Sequence, residues 1–524
     1  MSQRRPRLSR RALVIGGAAL GCVAIPTVGS IGYIAFQSAT GGNEISNVGE
    51  LSLDTPVDIP PLLEPVIDDD GRKRFDLTLQ TGETEVLRGK KAATWGANGP
   101  FLAPTIRASR GDDVALSVRN ELPELTTIHW HGMHLPADMD GGPHQPIEPG
   151  DTWEPYWTID QPASTLWYHP HPHGETALHV YRGIAGLFLV EDDTGDAVPS
   201  EYGVDDVPLI IQDKNFTDDG EFRVDSGLDQ VLSGNAGRSS FGIQGDTILV
   251  NGTHNPMFEA RRTLTRFRLL NGSNARFYNL GFTDDRTFRL IATENGFLPD
   301  GPVELDRLLL GPGERAEILV EVEAGDDVIL RSYEQDLGVA GVNGSFIGAN
   351  DTFDIIRIRA AADLETSGDY RHPETDNATS EIPDEVVTRR FELQEHQKIN
   401  GKTMDMARID EVVAANATEI WEVTSDGQPH TFHIHGATFH VLDVDGNEPE
   451  EHLRGPKDTV LVSRDHPVRL LVQFREYTDP EFPYMFHCHI LRHEDNGMMG
   501  QFVVVEPGTE ASVDQQVDTG HAHH

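Results

Sequence analysis

Cysteine is nearly absent: the 524 residues contain two, Cys22 and Cys488. Without a C-x-x-C pair there is neither a disulfide framework nor a zinc site built on paired thiolates. Lysine is scarce too. Seven lysines leave arginine to supply most of the 42 basic residues, against 85 acidic ones, for a net charge of −43. Such a chain is a poor partner for nucleic acid or for an anionic membrane surface. The acids are spread along the whole length, which excludes a localised acidic arm. A uniformly acidic surface repels itself in dilute buffer and is relieved when salt screens it, so a halophilic habitat is expected. Long apolar runs are missing beyond the first 36 residues. Short apolar stretches are broken throughout by turn residues, with 51 Gly and 32 Pro. That pattern favours an all-β chain over helical bundles or βαβ repeats.

Residues 1–36 read as an export address. Arg4, Arg5, Arg7, Arg10 and Arg11 precede an apolar stretch from Ala12 to Gly29, and Ser9-Arg10-Arg11 resembles the twin-arginine signal used for proteins exported already folded. The expected location is extracellular or at the cell surface. Two alternatives stay open, and only they bring a membrane into contact. The apolar run continues to Phe36 as a retained anchor would, and Ala19-Leu20-Gly21-Cys22 resembles a lipoprotein cleavage site that would lipidate Cys22. In each case the folded domain carries one thiol, Cys488, which in an oxidising compartment has to be buried or held by a metal.

The length suggests about three domains. Residues 37–74 read as a flexible leader, 75–195 as a first β domain, 205–360 as a second, 361–390 as a polar linker, 391–507 as a third β domain and 508–524 as a disordered tail. The 23 histidines are distributed unevenly over this scheme. The second domain has only His254, the linker only His372, and the tail His521, His523 and His524. Nearly all the others fall in the first and third domains, as a metal site shared across their interface would require.

Four motifs concentrate these histidines: His129-Trp130-His131-Gly132, His169-Pro170-His171, His430-Thr431-Phe432-His433-Ile434-His435, and His487-Cys488-His489 followed by His493 and Met498. Each lies in or beside a strand-like run. Residues two apart on a strand share a face, so each H-x-H pair presents two imidazoles to one side, while Cys488 faces away from His487 and His489. One strand thereby joins a thiolate site to an imidazole site through a few covalent bonds. Two His, one Cys and a weak axial Met form the blue-copper donor set, a one-electron acceptor. The remaining eight histidines suit further copper ions.

In order and placement these motifs resemble the three-domain multicopper oxidases, the family of laccases, spore-coat oxidases and cuprous oxidases, here of an acidic, haloarchaeal type. The resemblance covers roughly residues 75–507. It implies three cupredoxin-like Greek-key β-sandwich domains, four copper ions and dioxygen as oxidant. It further implies that His430, Cys488, His493 and Met498 hold type 1 copper and that His129 and His433 hold type 2 copper. His131, His169, His171, His435, His487 and His489 then hold the type 3 pair. No expected ligand is missing, which argues against family members that keep the fold without copper. A non-enzymatic blue electron carrier would use only the type 1 set and leave eight histidines unexplained.

Two acids match family positions near the cluster: Asp140, in Asp140-Gly141-Gly142-Pro143, and Glu494, beside His493. Reduction of dioxygen consumes four protons, so both are expected to act as catalytic carboxylates, relaying protons or orienting ligands. His134, His144, His173, His179 and His440 fall outside the ligand spacing and are read as supporting or surface residues. Seven N-x-S/T sequons, at Asn215, Asn251, Asn271, Asn343, Asn350, Asn377 and Asn416, permit glycosylation at some sites. The expected reductants are phenols and aromatic amines. Cuprous ion is the alternative, for which Asp426 matches an acid of cuprous oxidases. Its methionine companion is replaced here by Gln428, and the segment 360–389 contains no Met.

Overall fold

The computed structural model describes residues 44–193, 198–224, 241–339, 344–345, 347–368, 370–375, 377 and 382–517. The export segment, the start of the leader, the tail histidines and the Asn343 sequon lie outside the described residues.

The chain is all-β, in three two-sheet sandwiches of cupredoxin type. Alternation builds them: in the strand Lys73–Leu87, Phe75, Leu77 and Leu79 are buried while the residues between them are not. In the first sandwich this strand pairs in parallel with Asp113–Asn120, and the facing sheet runs Leu62–Leu63, Thr105–Ser109, Gly186–Glu191, Ser164–His169, His129–His131. Parallel neighbours cannot be joined by a tight hairpin, so the chain crosses between sheets, the Greek-key habit. The third sandwich repeats the plan: Val387–Gln394 pairs in parallel with Thr418–Ser425, and Glu411–Ala414 with Met499–Val505. Its core centres on buried Trp421, whose ring lies tilted 4.5 Å from that of Phe391. The second sandwich has the same two-sheet form around Phe267, Leu269, Ile318 and Ile356.

Three segments depart from the expectation. The described start of the tail is packed: Glu510–Ser512 forms a short helical turn, and Val517 N–H donates to the Ala407 carbonyl at 2.9 Å. The described part of the leader is strapped down. Thr55–Pro56 adds a strand to the second sandwich beside Pro256–Arg262, and Leu62–Leu63 adds one to the first beside Thr105–Ser109. Ile45, Val57 and Ile59 pack on the second core. Isolated apolar residues among Pro and Asp give no periodic signal, yet they suffice for edge pairing. The linker is partly strand as well: Phe353–Glu365 runs into it, and Val387–Gln394 begins within it. His372 donates to the carbonyl of Leu298 at 2.6 Å, which ties it to the second sandwich.

Two of the sequons are closed off by the fold. The amides of Asn251 and Asn271 are buried and each donates two hydrogen bonds to backbone carbonyls, so neither is available to a glycan in the folded chain. Asn416 lies exposed in a turn at φ +58°.

Candidate metal centre

The motif strands converge where the first and third sandwiches meet. His129–His131 lies antiparallel to Ser164–His169, with His129 opposite His169. His430–Ile434 runs between Thr459–Val462 and the end of Asp479–Cys488, with His433 opposite both Thr459 and His487. A short helix, Leu491–Asp495, follows and carries His493 and Glu494. Asp495 caps another helix, Thr176–Arg182, accepting from the backbone N–H of Thr176 at 2.8 Å and of Ala177 at 3.0 Å.

The twelve donors named from sequence are all buried, and they sort into groups. Cys488 Sγ lies 3.4 Å from His430 Nδ1 and 3.5 Å from His493 Nδ1, with the two nitrogens 3.2 Å apart. The backbone of Met498 is tied to this group. Its carbonyl accepts from Cys488 N–H at 3.1 Å, and its N–H donates to the His493 carbonyl at 2.9 Å. His131, His169 and His489 form one triad and His171, His435 and His487 another, the ligand atoms of each lying within 4.8 Å of one another. His129 stacks on His435 at 3.8 Å and His433 on His131 at 3.7 Å, so this last pair flanks both triads. The strand His487-Cys488-His489 thus contributes one residue to each of three groups.

Hydrogen bonding fixes which ring nitrogen faces inward. Nδ1–H of His129, His169 and His433 donates to the carbonyls of Asp140 (3.0 Å), Pro170 (2.9 Å) and Asp458 (2.8 Å), leaving each Nε2 buried with no hydrogen-bond partner. His435 donates from Nδ1 to Asp140 Oδ2 at 2.7 Å, and His487 from Nδ1 to the Cys488 carbonyl at 3.2 Å. Their Nε2 atoms, both left as lone pairs, sit 3.1 Å apart. Two lone pairs at that separation repel unless a cation lies between them. Burial first, then neighbouring imidazoles, holds His131, His169, His171, His435, His487, His489 and His493 well below the usual histidine range, so the rings are neutral and ligand-ready. Burial pushes the Cys488 thiol up to about 12, and a thiolate there needs a cation at hand. The donor set fits copper.

Both sequence-named carboxylates face this cluster. Asp140 Oδ1 is 3.4 Å from His129 Nδ1, in addition to its bond with His435. Glu494 lies 3.4 Å from His171 Nδ1 and 3.3 Å from His487 Nδ1. Burial, and then Asp495, raises its acid well above the usual carboxylate range. Of the five histidines set aside as non-ligands, His173 is exposed and four are bonded elsewhere: His134 to Thr438 at 2.8 Å, His179 to Thr126 at 3.0 Å, His144 to Gln501 at 2.9 Å, and His440 to the Asn377 carbonyl at 2.9 Å.

Three participants gave no sequence signal. Asp458 Oδ1 accepts from His131 Nε2–H at 3.0 Å, which turns His131 Nδ1 inward. Arg315, from the second sandwich, binds the same carboxylate twice, at 2.8 and 2.6 Å, and donates from Nε to the Thr165 carbonyl of the first at 3.0 Å. Burial alone would raise the Asp458 acid, but Arg315 and then His131 hold it well below the usual range. Gly132 makes room for this clamp: at φ +86°, an added Cβ would lie 2.5 Å from Asp458 Oδ2. The third is His396, whose ring stacks on His493 at 4.5 Å and 4°. An acid among 85 and an arginine in a domain without ligands follow no spacing rule.

Comparison with known proteins agrees with the geometry. Sequence models of the multicopper oxidase family match residues 78–195 and 373–508. A multicopper oxidase of Staphylococcus aureus is 36% identical over 477 residues, covering 90% of this chain and 94% of that protein. A cell division protein, FtsP of Yersinia pestis, is 37% identical over 461 residues, covering 86% and 92%. The solved structure of a laccase-like multicopper oxidase from Ochrobactrum sp., with oxidase activity towards lignin model compounds, superposes with a TM-score of 0.76 at 37% identity, covering 86% of this chain and all of that one. Fold, donor set and relatives agree, and the chain belongs to the multicopper oxidase family.

Proposed function

We propose that this protein is a laccase-like oxidase that couples one-electron oxidation of phenols or aromatic amines to four-electron reduction of dioxygen to water. The observation that carries the reading is the strand His487-Cys488-His489, which ties the thiolate group to both histidine triads. His430, Cys488, His493 and Met498 would hold type 1 copper, His129 and His433 type 2, and the two triads the type 3 pair. When bound, the four coppers supply one-electron acceptance at the thiolate group and dioxygen reduction among the histidines. Asp140 orients His435 and His129, while Glu494 holds a proton beside His171 and His487. The buried Trp167, stacked 4.2 Å on His169, helps exclude water around these donors. An electron carrier would need the thiolate group alone and would not explain the triads.

A cuprous donor is disfavoured by the engagement of Asp426, whose Oδ2 accepts from the backbone N–H of Glu395 at 3.1 Å. Export by the twin-arginine route to the cell exterior and a high-salt setting complete the proposal. Among the described residues no helix is long and apolar enough to cross a membrane. The test is dioxygen uptake by copper-loaded protein in high salt, with 2,6-dimethoxyphenol and cuprous ion offered in parallel. Fast uptake with the phenol and little with cuprous ion is expected. The reverse result assigns copper detoxification, and no uptake with either rejects an oxidase.

A further inference from the structure

The turn Gln394-Glu395-His396-Gln397 is built against the preferences of its own residues. Gln397 N–H closes on the Gln394 carbonyl at 3.2 Å, with Glu395 at φ +54° and His396 at φ +60° in the two central positions. Both central residues are therefore left-handed, as in the type I′ turn that favours Asn-Gly. The next turn, closed by Lys402 N–H on the Ile399 carbonyl at 3.0 Å, uses Asn400 at +52° and Gly401 at +76°. The chain thus places the comfortable pair five residues on and accepts strain at Glu395-His396. Strain of this kind persists where the surroundings hold it, and it points to a use. The surroundings are visible. Asp426 accepts from Glu395 N–H and donates its own N–H to the Leu393 carbonyl at 3.1 Å, and Lys398 pairs with Glu395.

What the strain delivers is a ring in a fixed place. His396 lies parallel to His493, with centroids 4.5 Å apart and planes 4° apart, and 6.2 Å from His430. The buried Phe241 meets His493 edge-on at 5.4 Å. His493 itself is fully buried, whereas His396 is half-buried, so the outer ring is the one that solvent reaches.

We propose that His396 is the docking plate for planar aromatic donors, an outer ring stacked on His493 and pinned by the Asp426-held turn, through which such donors are selected over non-planar reductants. The proposal rests on the reading of His430, Cys488 and His493 as the type 1 site. A phenol stacked on the plate loses one electron and its phenolic proton to become a phenoxyl radical; dioxygen is the terminal oxidant and water carries the proton away.

The test uses the full copper-loaded chain in high salt, with His396→Ala and His396→Phe. The blue absorption is bleached without oxygen, either by 2,6-dimethoxyphenol or by hexaammineruthenium(II), a compact reductant with no ring to stack. For His396→Ala the phenol bleaching rate is expected to fall about tenfold, with the ruthenium rate, the band position and the reduction potential unchanged. His396→Phe should restore most of the phenol rate. A His396→Ala protein in which both rates fall together, or in which neither falls, overturns the plate. A wild-type protein that binds copper without a blue band overturns the type 1 reading itself, and the plate with it.

Discussion

Asp458 holds two histidines at once, His131 through its carboxylate and His433 through its carbonyl, while Arg315 neutralises it. Asp458→Asn keeps the volume but replaces one acceptor oxygen by a donor facing a guanidinium. Removal of such an orienting partner typically weakens metal binding about 10–100-fold. Copper titration followed by electron paramagnetic resonance is expected to show weakened cluster loading with the blue signal kept, because the thiolate group shares no bond with Asp458. Equal loss at both groups would assign Asp458 a purely structural part. Met498 is the proposed axial donor of the thiolate group, and Met498→Leu removes its thioether sulfur. The voltammetric midpoint is expected to rise, and a midpoint that stays or falls would remove Met498 from the ligand set.

Strand alternation accounts for most of what could be read in advance. Phe75, Leu77 and Leu79 follow it, and so does the H-x-H spacing that sends His433 and His435 to the cluster while His430, three residues earlier, faces Cys488. What alternation does not reach is support from elsewhere in the chain. Arg315 and Asp458 meet across 143 positions, and the strapped leader pairs with strands on two different domains. The His396 turn was hidden for another reason: Glu-His is not a turn signal, and only the backbone angles show it. Gly132 is the place where element geometry and clamp coincide. Gly132→Ala adds a Cβ against Asp458 at a left-handed position, whereas Gly150→Ala, at φ +93° with open space around it, carries the conformational cost alone. Gly132→Ala is therefore expected to lower Tm clearly more than Gly150→Ala does, the latter by no more than about 1–2 kcal/mol in stability. Equal losses would mean that the clamp yields to the added methyl.

At the scale of the whole molecule, charge dominates. A net −43 implies that Tm rises as sodium chloride is increased, steeply at first and then levelling as screening saturates. A flat melting profile in salt would contradict a halophilic design. One buried site opposes the simple acid pattern. Lys457 lies between Glu294 at 2.7 Å and Glu314 at 3.1 Å, and burial, despite Lys457, raises Glu294 to about 7. A raised acid contributes stability that is full below its unfolded value and is lost as pH rises through the folded one. Between about pH 5 and pH 8, Glu294→Gln should therefore lose less Tm than the wild type. An identical slope would show that Glu294 is ionised throughout.

The Arg315 clamp has a consequence for how metal arrives. Partners within the cluster stand 295 to 327 positions apart in the chain, as in Asp140 with His435 and His131 with Asp458. A guanidinium, carboxylates and carbonyls outside the cluster anchor several of these ligands. The cage is thus preorganised, and little ordering cost is left to subtract from copper affinity. Loading should resemble filling a mould more than folding a chain, with far-ultraviolet circular dichroism nearly unchanged as the blue colour develops.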